Sequence, residues 1–128
     1  MRNRLHNCKN PHQGKAKKVL AVCSAGLLRS PTVAARLTAR GYNARSCGAE
    51  SSFALIPLDP VLVEWADEIL VMDDYQKRQV RGCSIDHSLV TKPVHTLSIP
   101  DAFGYMEPEL VALVDAQLDR LGLVGNKL

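Results

Sequence analysis

Hydrophobic and polar positions along this chain switch repeatedly between two rhythms. Residues 19–23, Val-Leu-Ala-Val-Cys, form an unbroken apolar run rich in β-branched side chains. Such a run predicts a strand buried on both faces. Residues 32–40 take helical spacing, with Val33, Leu37 and the alanines on one side. Ser30-Pro31 supplies a cap and a proline at the first helical position, and Gly41 suits the position just past the end. Residues 42–48 predict a second strand, and the proline-containing stretch 50–60 a loop. Asp59-Pro60 opens a short helix to Trp65, with Leu62, Trp65 and Ala66 on one face. Residues 68–72 predict a third strand. Asp73 or Asp74 caps a helix through Val80 that Gly82 ends. Residues 93–97 predict a short fourth strand, placed near an edge by Pro93. After a loop over 99–108, Glu107-Pro108-Glu109 opens a helix to about Leu121. Its expected core stripe is Leu110, Leu113, Val114, Gln117, Leu118 and Leu121.

Strands alternating with helices imply an α/β fold. The expected form is a three-layer α/β/α arrangement around a four-stranded, mostly parallel sheet. In such sheets ligands sit beyond the carboxyl ends of the strands. The first strand ends at Cys23, so that residue falls where a ligand is expected.

Composition narrows the picture. A chain of 128 residues, 46% hydrophobic, predicts one domain with a sizeable core. Residues 1–16 read as a basic, disordered arm, and 17–128 as the single domain. Residues 1–18 hold six of the 16 bases and none of the 13 acids, so the remainder is net acidic. A uniformly basic nucleic-acid-binding domain is therefore excluded. The arm reads as a solvated extension; the alternative is binding to an acidic partner, nucleic acid or anionic lipid. No apolar run approaches the roughly 20 residues a bilayer needs. Membrane association is not expected, and the cytoplasm is the expected location. Four cysteines, at 8, 23, 47 and 83, are widely and irregularly spaced and read as reduced thiols. Cys8-x3-His12 and Cys83-x3-His87 have spacings a metal can use, but they lie far apart. No metal or other cofactor is expected.

The chemistry gathers in Cys23-Ser-Ala-Gly-Leu-Leu-Arg29-Ser30-Pro31. It sets a thiol at a strand end, then a loop of Ser24, Ala25, Gly26, Leu27 and Leu28, then an arginine, then a helix start. Successive loop N–H groups can form an anion nest. A helix N-terminus adds unpaired N–H groups and the positive end of its dipole. The planar fork of Arg29 can grip two phosphate oxygens. The same groups favour a thiolate at Cys23, and Ser30 can donate to its sulfur. The pattern predicts a phosphate-binding loop over residues 24–30 with Cys23 as nucleophile.

The segment VLAVCSAGLLRSPTVAARL resembles the active-site loop of the low-molecular-weight protein tyrosine phosphatases. Arg45-Ser46-Cys47-Gly48-Ala49 resembles that family's second strand, and Glu64-Trp65-Ala66-Asp67 with Ile69-Leu70-Val71-Met72 its third. Ile99-Pro100-Asp101-Ala102-Phe103 and Met106-Glu107-Pro108-Glu109-Leu110 resemble a compact bacterial and phage branch. The resemblance implies that Cys23 forms a phosphocysteine and Arg29 stabilises the transition state. It implies that Ser30 supports the thiolate and that Asp101 acts as general acid and then base. The implied partners are a phosphotyrosyl protein or a small aryl phosphate, with phosphate and sulfate as ligands. Phe103 and Tyr105 either line the slot for the aromatic group or pack on the core. The chain departs from the commoner pattern in three ways. Proline precedes Asp101 instead of following it, and the loop lacks both an asparagine and a second cysteine.

Two further readings share the fold. An arsenate reductase needs resolving cysteines; Cys83 stands without a close partner, so an external thiol would be required. A phosphocysteine carrier must keep its adduct, whereas Asp101 is suited to activating water against it.

Overall fold

The computed structural model describes residues 16–23, 29–49, 56–82, 92–100 and 102–125. Eight elements follow in the expected order. They are β1 (Lys18–Cys23), α1 (Arg29–Ala39), β2 (Asn43–Gly48), α2 (Pro60–Trp65), β3 (Glu68–Val71), α3 (Asp74–Gly82), β4 (Val94–Thr96) and α4 (Pro108–Arg120). The strands form one sheet in the order β2-β1-β3-β4, and every pairing is parallel. The chain leaves β1 towards β2 on one side and later returns to β3 on the other. That reversal opens a crevice at the carboxyl end of β1.

β1 and β3 are the inner strands, with neighbours on both sides, and β1 is buried from Val19 to Cys23. Side chains alternate along β1. Val19, Ala21 and Cys23 enter a core with Val33 and Leu37 of α1 and Leu110, Val114 and Leu118 of α4. Leu20 and Val22 enter the opposite core with Val63 of α2 and Val80 of α3. The three layers follow from this alternation, and each buried Leu or Val contributes about 1.5–3 kcal/mol. Cys47 lies opposite Val22 in the register and shares its face, so the buried thiols of Cys23 and Cys47 are on opposite sides of the sheet.

The caps decide where elements stop. The Asp59 carboxylate accepts from the Leu62 N–H at 2.8 Å and Pro60 opens α2, as the sequence predicts. Gly41 follows α1 with φ 93°, a left-handed conformation that glycine tolerates. Three expectations change. α1 begins at Arg29, so Ser30 lies inside the helix instead of capping it. Within α2, Val63 carries the full burial and Leu62 and Trp65 are only partly covered. On α4 the buried stripe is Leu110, Val114 and Leu118, one residue per turn, and Leu113 is 40% exposed. The helix meets α1 along a narrow line, and Leu113 falls outside it.

The outer sides of these helices are tied by charge. Arg36 of α1 and Arg40 just past its end both reach Asp115 of α4, at 3.0 and 3.2 Å, and Arg40 also reaches Asp119 at 2.9 Å. No described helix is long and apolar enough to cross a membrane.

Leu118→Ala is expected to cost about 2–5 kcal/mol of stability, the range for emptying a buried leucine site. Leu113→Ala is expected to cost under about 0.5 kcal/mol, as for an exposed position. Urea denaturation of both variants checks this. Similar losses would refute the narrow α1–α4 contact.

Candidate active site

The site is built at the carboxyl ends of β1 and β3. β1 delivers Cys23 there, and hydrogen bonds on both sides hold the strand end. Ala49 N–H donates to the Cys23 carbonyl at 2.7 Å, and Met72 N–H donates to the Val22 carbonyl at 3.1 Å. Cys23 is buried. Its Sγ lies 3.1 Å from Ser30 Oγ, in hydrogen-bond contact. Ser30 Oγ is also 3.3 Å from the Cys47 carbonyl, to which it donates. A hydroxyl has one proton. When Cys23 is a thiol, that proton goes to the carbonyl and the S–H can donate to Ser30. When Cys23 is a thiolate, the Ser30 proton turns to sulfur. The serine therefore serves either state of the thiol without moving.

Arg29 opens α1, and its side chain is only 3% exposed. Burying a cation is costly unless it is paired and hydrogen-bonded. Nη1 donates to the Ile99 carbonyl at 2.8 Å and to Asp73 Oδ2 at 3.1 Å. The Ile99 carbonyl is brought there by the chain beyond β4. Leu97 N–H donates to the Val71 carbonyl at 2.8 Å and Ile99 N–H to the Met72 carbonyl at 3.3 Å, with Ser98 between them at φ 54°. The segment thus runs along the end of β3 and turns one carbonyl to the arginine.

Asp73 is the functional candidate that the sequence reading assigned to a helix cap. Its carboxylate is the counter-ion of Arg29. The neighbouring Asp74 accepts from Thr96 Oγ1 at 2.7 Å and ties α3 to β4. The N–H groups of Met72 and Asp73 are met instead by Gln76 Oε1, at 2.9 and 3.1 Å, from a fully buried side chain. A signal for Asp73 was present. It is the second residue past β3, the strand that pairs with β1, at the same end of the sheet as Cys23.

Other expected positions fall as follows. Ser24, Ala25, Gly26, Leu27, Leu28 and Asp101 lie outside the described residues, as do Cys8, His12, Cys83 and His87. Pro100 and Ala102, flanking Asp101, are exposed. Phe103 is half-buried and packs against the core of α1 and α4, and Tyr105 is half-buried. His95 is an edge-strand residue whose Nε2 lies 2.9 Å from Glu68 Oε2. The ring of Trp65 carries the Arg45 guanidinium 4.6 Å above its centre. Among the described residues no three His, Cys, Asp or Glu side chains cluster as a metal site.

No protein-family model matches the chain, and no curated protein matches it by sequence. Solved structures do match. The tyrosine phosphatase Wzb from Escherichia coli K30, in complex with phosphate, is 15% identical. It superposes with a TM-score of 0.60 over 83% of this chain and 96% of that one. Vibrio vulnificus Wzb, in complex with benzylphosphonate, is 19% identical with a TM-score of 0.61 over 83% and 97%. The YwlE arginine phosphatase from Geobacillus stearothermophilus is 20% identical with a TM-score of 0.60 over 83% and 93%. The chain has the low-molecular-weight protein tyrosine phosphatase fold.

Within this low-molecular-weight phosphatase fold, the described geometry can do three things. It holds a thiol against a hydroxyl, presents a fixed guanidinium six residues later, and roots the 99–107 segment on that guanidinium. Fixed charges of this kind act without reorganising when a ligand arrives.

Asp73→Ala is expected to lower stability by about 1–3 kcal/mol, because the buried Arg29 loses a charged partner that is itself partly exposed. Asp73→Asn keeps an acceptor oxygen and is expected to lose less. Urea denaturation compares the two. A loss below about 0.5 kcal/mol in the alanine variant would mean that Arg29 does not depend on this carboxylate.

Proposed function

We propose that this protein is a cysteine-dependent phosphatase acting on phosphotyrosine or a similar aryl phosphate monoester. One observation carries the reading. The thiol of Cys23, the hydroxyl of Ser30 and the guanidinium of Arg29 are assembled at the carboxyl end of β1, in a fold whose solved members include tyrosine phosphatases.

In the proposed mechanism, Cys23 attacks phosphorus as a thiolate with its proton already lost to solvent. The S–P bond forms as the P–O bond to the aryl group breaks. Asp101 gives its proton to the departing phenolate oxygen. In the second step a water attacks phosphorus and passes a proton to the Asp101 carboxylate. The S–P bond breaks, leaving inorganic phosphate and the thiolate. Ser30 donates to sulfur whenever sulfur carries charge. Arg29 and the N–H groups of loop 24–28 take the phosphate oxygens. Phosphoryl transfer depends chiefly on such positioning and charge stabilisation. Phe103 and Tyr105 are proposed to flank the aromatic group. Phosphate and benzylphosphonate bound by the two Wzb enzymes support an oxyanion ligand here.

A second substrate reading has its own support. The Geobacillus stearothermophilus arginine phosphatase shares this fold at a TM-score of 0.60, so phosphoarginine is the competing substrate class.

Cys23→Ser is expected to lower p-nitrophenyl phosphate hydrolysis roughly a thousandfold or more, as removal of a nucleophile does. Retained hydrolysis would refute the nucleophile. Relative kcat/KM on phosphotyrosyl and phosphoarginyl peptides decides the substrate class, with preference for phosphotyrosine expected. Asp101→Asn is expected to slow phenyl phosphate more than p-nitrophenyl phosphate, because the poorer leaving group needs the proton more.

A further inference from the structure

The segment from Ile99 to Met106 carries Asp101, Phe103 and Tyr105, and the first turn of α1 holds it at both ends. At one end Arg29 donates to the Ile99 carbonyl at 2.8 Å. At the other, Thr32 Oγ1 accepts from the Met106 N–H at 2.9 Å across 74 residues of sequence. Thr32 is fully buried, three residues after Arg29 and two after Ser30. At that depth a polar group left without a hydrogen bond is costly, and the Met106 N–H meets this hydroxyl.

Left-handed backbone flanks the segment at both ends, at Ser98 and at Met106. Residues 104–107 form a tight turn closed by Glu107 N–H to the Gly104 carbonyl at 3.1 Å. Met106 sits at its third position with φ 58°, where such turns favour glycine. A bulky residue in left-handed backbone persists only where surrounding contacts fix it, and such residues gather at active sites. The Thr32 hydroxyl is the contact that receives the N–H this conformation turns inward. Phe103, between the two anchors, is pressed on the core.

We propose that Thr32 is a positioning residue. Its hydroxyl fixes the far end of the acid-bearing segment to the helix that bears Arg29 and Ser30, so that general acid and phosphate-binding groups hold one geometry. The proposal rests on the phosphatase reading above. Thr32 touches neither phosphate nor leaving group in this scheme; it acts through Asp101.

The test is a leaving-group comparison on Thr32→Val and Thr32→Ser. Thr32→Val is expected to lower kcat on phenyl phosphate roughly tenfold and on p-nitrophenyl phosphate less than about threefold, a fraction of what a general acid contributes. Competitive inhibition by inorganic phosphate should be unchanged, because Arg29 is untouched. Thr32→Ser restores the acceptor and should recover the phenyl phosphate rate. Should the valine variant fail to fold, Thr32→Ala carries the same comparison. Equal losses on the two substrates, or no rescue by serine, would overturn the proposal. Asp101→Asn, measured alongside, separates the two ideas. If it shows the leaving-group split and Thr32→Val does not, only the tether falls. If it shows none, the acid assignment falls and the tether with it.

Discussion

One buried guanidinium organises this end of the molecule. Arg29 is nearly inaccessible, and a cation in that position is tolerated only when its hydrogen bonds are met by charge or by oriented carbonyls. The described residues include both kinds of partner. The Asp73 carboxylate comes from the corner after β3, and the Ile99 carbonyl from the segment after β4. To satisfy Arg29, both chain segments must approach the first turn of α1. The same demand accounts for the pairing of residues 97–99 along the end of β3 and for the left-handed turn at Ser98. The site is therefore a consequence of how one charge is buried.

The sheet order makes this possible. With β1 between β2 and β3, and β4 beyond, everything leaving a strand at its carboxyl end emerges on one edge. Cys23 leaves from β1, the Cys47 carbonyl that receives Ser30 lies on β2, Asp73 follows β3 and Ile99 follows β4. Four strands each contribute one group. The fold provides a shared edge, and the side chains placed on that edge provide whatever chemistry it has.

Much of this was legible in the sequence, and the part that was not has a common character. All eight elements follow from periodicity, from Asp59-Pro60, from Gly41 and from the apolar run 19–23, because those signals are local. Cys23, Arg29 and Ser30 were legible because they lie within one short segment. The pairing of Asp73 with Arg29 and of Thr32 with Met106 was not, since these contacts join residues 44 and 74 apart in sequence. Asp73 resembles a helix cap in the one-dimensional text, and Thr32 resembles any first-turn threonine. Ser30 was expected both to cap the helix and to meet the sulfur; the contact to sulfur is present, while the helix begins one residue earlier and the hydroxyl also reaches a neighbouring strand. Leu113 fitted the helical spacing and yet is exposed, because periodicity names a face and not the width of the contact that covers it.

The charge pattern gains a sharper meaning from the Arg29–Asp73 pair. Read as a sum, the chain is basic, with the bases crowded into its first residues. At the site, the buried cation of Arg29 has a carboxylate partner 3.1 Å away, so this pair brings little net charge to an arriving anion. Under the proposed reading, N–H groups of the loop and the start of α1, which carry no formal charge, add attraction for phosphate that the paired arginine does not supply alone. Arg29 then contributes direction more than potential. Its fork is fixed before the ligand arrives, and the carboxylate that lowers its electrostatic pull is the same group that keeps it aimed. A site built this way selects by geometry, because an anion that cannot meet the fork and the N–H groups together gains little from the neutralised arginine alone.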